Sequence, residues 1–404
     1  MFGAVTACWL AALGAAVAGE AGAAVDGPSI ERVELPHGFY WQATPKEMDP
    51  QTRYPLIVCL HGTETRASDL LEFWLSLEAE LPLIFVAPQG SNAGWRDTDL
   101  PLLSELTDRI AGTLPYDAER VLLTGHSAGG AMTFHLLYVE GFPATAAAVT
   151  ANYLPPTVTA EMVARRRDVP LFYAVGEADL NRARMRQGLY LLRGAGASVT
   201  VQRPPIGHVL SREIGQAAMD WFASVCRDTV ERRLDEARVA LVGGSERYPG
   251  PAAASLEDLL GQRRAHFPDQ IASAEELLAR LRQSGYLALT EARDLMQEQM
   301  PIEARDVLLD VERRYRPSSV AAEAKRLRIE LETRPRVAQQ LAARDQADAR
   351  RKAADLWRAA QVALADARVE DAKRHCRNLL AIYPDSAPAA DARRVLRELE
   401  GVSD

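Results

Sequence analysis

Apolar residues follow two different rhythms along this chain. In residues 29–226, short runs rich in β-branched and aromatic side chains alternate with stretches of helical spacing. The runs at 54–60, 83–87, 120–124, 146–150, 170–175 and 198–202 read as strands. The stretches at 67–80, 102–114, 128–138 and 182–193 repeat their apolar residues every three or four positions and read as helices, with another at 212–225. Nearly continuous apolar strands alternating with helices predict an α/β fold, a doubly wound and mainly parallel sheet buried on both faces. With the first strand at Tyr54, His37 falls before the sheet begins.

Beyond Cys226 the strand pattern stops. The remainder is rich in Ala, Leu, Arg and Glu with apolar residues at helical spacing, which predicts an all-α part. Segment 242–253, holding Gly243, Gly244, Pro249, Gly250 and Pro251, reads as a long loop within a linker spanning 227–270. From 271 to 404 the chain repeats itself at a constant offset. Ala304 matches Ala372, Tyr315 matches Tyr383, Ser318 matches Ser386, and Ala321, Ala322 and Ala324 match Ala389, Ala390 and Ala392. Half of that offset, about 34 residues for two helices, is the period of tetratricopeptide repeats, and this part of the chain resembles such an array. The first helices of its units would be 287–299 and 352–366. A plain helical bundle is the competing reading.

Length supports the division, because 404 residues exceed what one ordinary domain needs. The net charge of -8 gives a nucleic-acid partner no support. The excess lies early: from Asp228 onward 31 acidic side chains meet 30 basic ones, so the part before Asp228 carries nearly all of it. The cysteines, Cys8, Cys59, Cys226 and Cys376, match no metal or redox spacing, and no cofactor is implied. Residues 1–25 hold an apolar stretch from Ala4 to Ala18 followed by small residues such as Ala21-Gly22-Ala23. They read as a signal peptide and so predict export to the periplasm or beyond. That stretch is short for a bilayer, and no other segment reads as transmembrane.

Candidate chemistry centres on Gly125-His126-Ser127-Ala128-Gly129, preceded by an apolar strand and followed by a helical pattern. A serine on so sharp a strand-to-helix turn has its hydroxyl lifted clear of the sheet, and glycines two before and two after leave room for the turn. The helix that follows aims its N-terminal amides at any negative charge developing there. A serine hydroxyl needs a base, and in a fold with this turn an acid and then a histidine follow in chain order. Strand 170–175 leads into Gly176-Glu177-Ala178-Asp179, where Asp179 fits the acid by spacing and Glu177 competes with it. His208, after the last strand, is the candidate base. His126 and His135 lie on or beside the turn, and His266 and His375 in the helical half. His61-Gly62-Thr63 follows an early strand and suits an oxyanion hole, with the amides of Thr63 and Ala128 as donors.

His61-Gly62, Pro88-Gln89-Gly90, Trp95, Tyr116-Asp117-Ala118-Glu119-Arg120 and the serine turn come in an order that resembles one α/β-hydrolase group. That group includes poly(3-hydroxybutyrate) depolymerase-like esterases, feruloyl esterases and the phospholipase/carboxylesterase family. The resemblance spans residues 55–226, within a predicted domain at 29–226. It implies a Ser127–Asp179–His208 triad, hydrolysis of small-molecule or polymeric esters through an acyl-enzyme, and no metal. The short segment 150–168, with Pro155-Pro156, predicts an open site without a lid. Two other readings stay open: a serine peptidase of the same fold, and a helical interaction protein with an inactive hydrolase domain, whose C-terminal half binds a protein partner.

Overall fold

A computed structural model describes residues 28–91, 94–242 and 248–400; the leader-like segment 1–25 lies outside them. The chain divides into two compact units. One holds the described residues up to Glu231 together with Gly261–Pro268, the other Arg232–Leu260 and the chain from Asp269.

The first unit is built on one eight-stranded sheet. In chain order its elements are β1 (Ser29–Leu35), β2 (Gly38–Thr44), β3 (Tyr54–Leu60), α1 (Ala67–Leu75), β4 (Ile84–Pro88), α2 (Leu100–Thr113), β5 (Tyr116–His126), α3 (Ala128–His135), β6 (Ala146–Thr150), α4 (Ala160–Arg165), β7 (Leu171–Ala174), α5 (Arg182–Gly194) and β8 (Val199–Gln202). The strand order is β1-β2-β4-β3-β5-β6-β7-β8. β1 and β2 form an antiparallel hairpin that joins β4 antiparallel, and every later pairing is parallel. Two apolar clusters cover the two faces of the sheet's central strands. All seven residues of β3 are buried, as a central parallel strand requires.

The sheet begins earlier than the apolar pattern predicts, and His37 sits in the turn of the β1–β2 hairpin rather than ahead of the sheet. The reason is exposure. β1 lies at the sheet's edge and reads Ser-Ile-Glu-Arg-Val-Glu-Leu, with no side chain fully buried. Its charges protect an open edge, and they also hide a strand from any search for apolar runs.

One buried charge organises this unit. Arg120 is 1% exposed on β5. Its Nε donates to Asp117 Oδ2 at 2.7 Å, one terminal nitrogen to the Ala265 carbonyl at 2.6 Å, and the other to the Arg53 carbonyl at 3.0 Å. Segment Gly261–Pro268 is thereby bonded to the sheet, and Arg227 stacks on Phe267 at 3.8 Å. These residues were expected in a linker at 227–270. That expectation fails because the stretch is mostly helical. Helix α6 runs from Arg212 to Val242, well past the expected end at 225, and α7 covers Gly250–Gly261. Residues 243–247 of the expected loop lie outside the described residues.

The second unit continues with α8 (Pro268–Gln297), α9 (Pro301–Tyr315), α10 (Ser319–Glu332), α11 (Pro335–Ala365), α12 (Val369–Ile382) and α13 (Ala389–Glu400). Helices start at Pro301, Pro335 and Val369, at equal intervals along the chain. The matched positions do matching work. Ala304 and Ala372 are fully buried, as are Ala324 and Ala392. The hydroxyls of Ser318 and Ser386 donate to the carbonyls of Tyr315 and Tyr383, each at 2.7 Å. The helices expected to start at 287 and 352 are the second halves of the long helices α8 and α11; Gly285, just before the first of those points, stays within α8 because Tyr315 and Val320 pack where its side chain would be. The cysteines of the described residues, Cys59, Cys226 and Cys376, are free and buried.

Replacing Arg120 with Met keeps most of the volume but leaves Asp117 and two carbonyls without their donor. Unfolding in urea, followed by tryptophan fluorescence, is expected to show a loss of about 3 kcal/mol, typical for half of a buried pair. A midpoint equal to that of the wild type would refute the organising role.

Candidate active site

The order β4-β3-β5 makes β3 a switch point: the chain leaves β3 for one side and β5 lies on the other. Loops beyond the carboxyl ends of β3 and β5 therefore diverge and open a crevice, where ligands bind in sheets of this kind. His61 follows β3 directly, and Ser127 follows β5.

Ser127 sits at φ 54° and ψ −122°, a region that side chains avoid. Its neighbours enforce that conformation. A β-carbon at Gly125 would run into the Gly129 carbonyl, and one at Gly129 into the Leu60 carbonyl of β3. The Ser127 amide donates to the Thr150 carbonyl of β6 at 3.0 Å. Asn152 Nδ2 donates to the Ser127 carbonyl at 2.5 Å. The glycine spacing in the sequence signals this turn. The hold from Thr150 and Asn152 has a fainter sign in the sequence, a polar residue just past a buried strand at the ligand edge of the sheet.

The other candidates converge on this serine. Ser127 Oγ lies 2.8 Å from His208 Nε2, and His208 Nδ1 lies 2.9 Å from Asp179 Oδ2. The Asp179 side chain is 0% exposed, and its Oδ1 accepts the Asn181 amide at 2.7 Å. Glu177, the rival acid, turns elsewhere: Arg186 donates to it at 2.8 Å, and Arg182 approaches at 3.5 Å. The loops carrying Asp179 and His208 are bonded together, Glu177 N–H to the Pro204 carbonyl and Ala178 N–H to the Ile206 carbonyl. A base that is itself oriented by a buried carboxylate is what a serine hydroxyl needs in order to attack.

Thr63 and Ala128 face each other across Gly94, where an added methyl group would lie 3.2 Å from both Thr63 Oγ1 and Ala128 Cβ. Among the described residues, neither backbone amide has an acceptor. The His61 ring braces this loop. It is buried; its Nδ1–H donates to the Gly62 carbonyl at 2.8 Å, and its Nε2 accepts the Gly90 amide at 3.0 Å. Trp95 Nε1 donates to the His61 carbonyl at 2.8 Å. Burial lowers the His61 pKa and keeps the ring neutral, as these bonds require.

The strand order, the alternating helices and the strained serine turn define the class: the first unit has the α/β-hydrolase fold, and the second is all helical. No family model matches the chain. Over 102 residues, 23% of this chain, it is 34% identical to a probable feruloyl esterase C of Aspergillus terreus. Over 107 residues, 24% of this chain, it is 31% identical to one of Aspergillus niger. It covers 38% and 40% of the lengths of those relatives. Among solved structures, the substrate-bound fluorophosphonate-binding serine hydrolase F of Staphylococcus aureus overlaps 49% of this chain and 99% of its own, at 12% identity and TM-score 0.41.

The His126 ring lies beside that of His208, with centroids 5.6 Å apart, and its Nδ1 is 3.1 Å from Thr150 Oγ1. Burial first, then the charge of His208, pushes its pKa down to about 4, with Asp179 acting the other way. Between pH 6.5 and 4 the unfolded chain therefore takes up a proton that the folded chain refuses. Stability is full above pH 6.5 and falls by up to about 3 kcal/mol as pH drops toward 4. Urea unfolding at pH 7.5 and 4.5 should show a smaller acid loss for His126→Gln than for the wild type. Equal losses would count against the half-buried neutral imidazole.

Proposed function

We propose that this protein is a serine hydrolase that cleaves carboxylic esters through an acyl-enzyme, with residues 29–226 as its catalytic domain. One observation carries the reading: an unbroken hydrogen-bonded line from Ser127 through His208 to a buried Asp179, starting at a strained turn. The partial likeness to feruloyl esterases supports the ester class.

Ser127 Oγ attacks the ester carbonyl carbon while His208 Nε2 takes its proton. The carbonyl oxygen becomes an oxyanion and accepts from the amides of Thr63 and Ala128. Asp179 holds His208 Nδ1–H, fixes the tautomer with Nε2 free, and stabilises the imidazolium. His208 returns the proton to the leaving alcohol. Water then attacks the acyl-enzyme with His208 again as base, which frees the acid and Ser127. The short connection 151–159 supports an open site, since Leu154 and Val158 are buried in the core. Among the described residues no helix is long and apolar enough to cross a membrane. The leader-like composition of residues 1–25 supports export. The helical unit would be the part that engages a protein partner.

Wild-type protein is expected to take up a fluorophosphonate probe and to release nitrophenol from nitrophenyl esters, and Ser127→Ala to do neither. Asp179→Asn should lower kcat by roughly 10³- to 10⁴-fold through the wrong tautomer. Glu177→Gln should leave kcat within a few-fold. A large loss in Glu177→Gln with little in Asp179→Asn would reverse the acid assignment, and an unlabelled wild type would end the hydrolase reading.

A further inference from the structure

Helix α5 begins against electrostatic preference. Its first residues include Arg182, Arg184 and Arg186, with no acid in the first turn. Cations are disfavoured there, because the N-terminus of a helix carries positive partial charge. Two of the three have a local reason, since Arg182 and Arg186 both hold Glu177. Arg184 does not: among the described residues it has no carboxylate partner. Its guanidinium lies over the Tyr153 ring, 5.1 Å from the centroid, and donates to the Tyr153 hydroxyl at 3.2 Å. One bond of the five that a guanidinium offers is thereby used, on a residue that is solvent exposed.

Tyr153 is not a loose surface ring. Its amide donates to Asn152 Oδ1 at 2.7 Å, and the Asn152 side-chain nitrogen holds the Ser127 carbonyl. The Asn152 carbonyl in turn accepts from the Tyr173 hydroxyl at 2.7 Å. The cation is therefore tied through a short series of bonds to the backbone of the serine turn. It is also in the right place. Tyr153 lies three residues past β6, and β6 is the strand beside β5. Arg184 belongs to the helix that follows β7, the next strand over. Neighbouring strands are about 4.8 Å apart, so at the sheet's ligand edge Tyr153 follows the strand one spacing from the serine's, and Arg184 the strand two spacings away.

We infer that Tyr153 and Arg184 form a specificity subsite that selects esters bearing a negatively charged group on the part of the substrate held there. The inference rests on the ester-hydrolase reading for the reaction, but the subsite itself is a matter of binding. The Tyr153 ring supplies a flat apolar wall, and the free edge of the Arg184 guanidinium supplies paired donors for a planar carboxylate.

The test uses two nitrophenyl esters of one length: the hemisuccinate, with a free carboxylate, and its methyl ester, without one. Wild-type protein should favour the hemisuccinate in kcat/KM by roughly tenfold to a hundredfold, mainly through KM, as expected for a charge-assisted hydrogen bond. In Arg184→Gln that ratio should fall toward one, and Arg184→Lys should restore part of it. Raising the salt should shrink the wild-type ratio. An unchanged ratio in Arg184→Gln overturns the subsite while leaving the hydrolase intact. A calorimetric arm separates the two readings: Ser127→Ala should bind the intact hemisuccinate, and Ser127→Ala with Arg184→Gln should bind it at least tenfold more weakly. Arg184-dependent binding without turnover by the wild type would uphold the subsite and end the hydrolase reading. Binding indifferent to Arg184 would end the subsite.

Discussion

The turn at Ser127 holds a backbone conformation that its own residue type resists, and the rest of the first unit is arranged so that it cannot relax. Leaving that region would relieve on the order of 1–3 kcal/mol of strain. The surroundings block each exit. Glycines at 125 and 129 let α3 press on the end of β3, where no side chain would fit. β6 captures the amide of Ser127 through Thr150, and Asn152 captures its carbonyl. A hydroxyl kept in place by three neighbouring elements needs no rearrangement to meet His208.

Such strain is not confined to one residue. Among the described residues five that are not glycine have positive φ, and three of them, Glu64, Ser127 and Ala151, follow β3, β5 and β6. Each is within four residues of its strand's end, at the edge where the crevice opens. The two apolar clusters over the sheet supply stability that offsets these conformations. The remaining two, Gln299 and Ala367, stand at the same offset as the matched alanines and tyrosines, each in the turn just before a helix of the second unit. There the positive φ marks a repeated connection, and its recurrence at the repeat distance ties backbone geometry to the sequence periodicity.

This separates what could be read from residues alone from what could not. The pentapeptide around Ser127 was legible because steric exclusion leaves glycine alone at two positions, the inner strands β3 to β7 because burial on both faces makes them continuously apolar, and β8, at the far edge, because its valines alternate with polar residues. The β1–β2 hairpin was illegible for the opposite physical reason: β1, at the edge, is stabilised by backbone pairing and can carry charge, and β2 is only half buried. Spacing favoured Asp179 without removing Glu177, because the two share one loop. What divides them is Arg182 and Arg186, which lie one helical turn apart and draw Glu177 aside. That is a contact between side chains, with no trace in local pattern. Arg120 and the distant segment it binds at Ala265 were equally hidden.

The His61 network shows how such distant partners act together. Pro88-Gln89-Gly90 and Trp95 are scattered in the sequence, yet Gly90 and Trp95 both bond to the same residue, and Gln89 Nε2 lies 3.1 Å from its ring. A neutral imidazole suits this place because one nitrogen must donate to Gly62 while the other accepts from Gly90, a pairing that neither a lysine nor a protonated ring could satisfy. Gln89 extends the hold, accepting the Ala67 amide at the start of α1. The loop bearing Thr63 is thus fixed from the β4 side as Ser127 is fixed from the β6 side. Braced from opposite edges, the two loops keep the Thr63 and Ala128 amides without acceptors of their own, an arrangement stable only where solvent or a developing negative charge can take the hydrogen bonds.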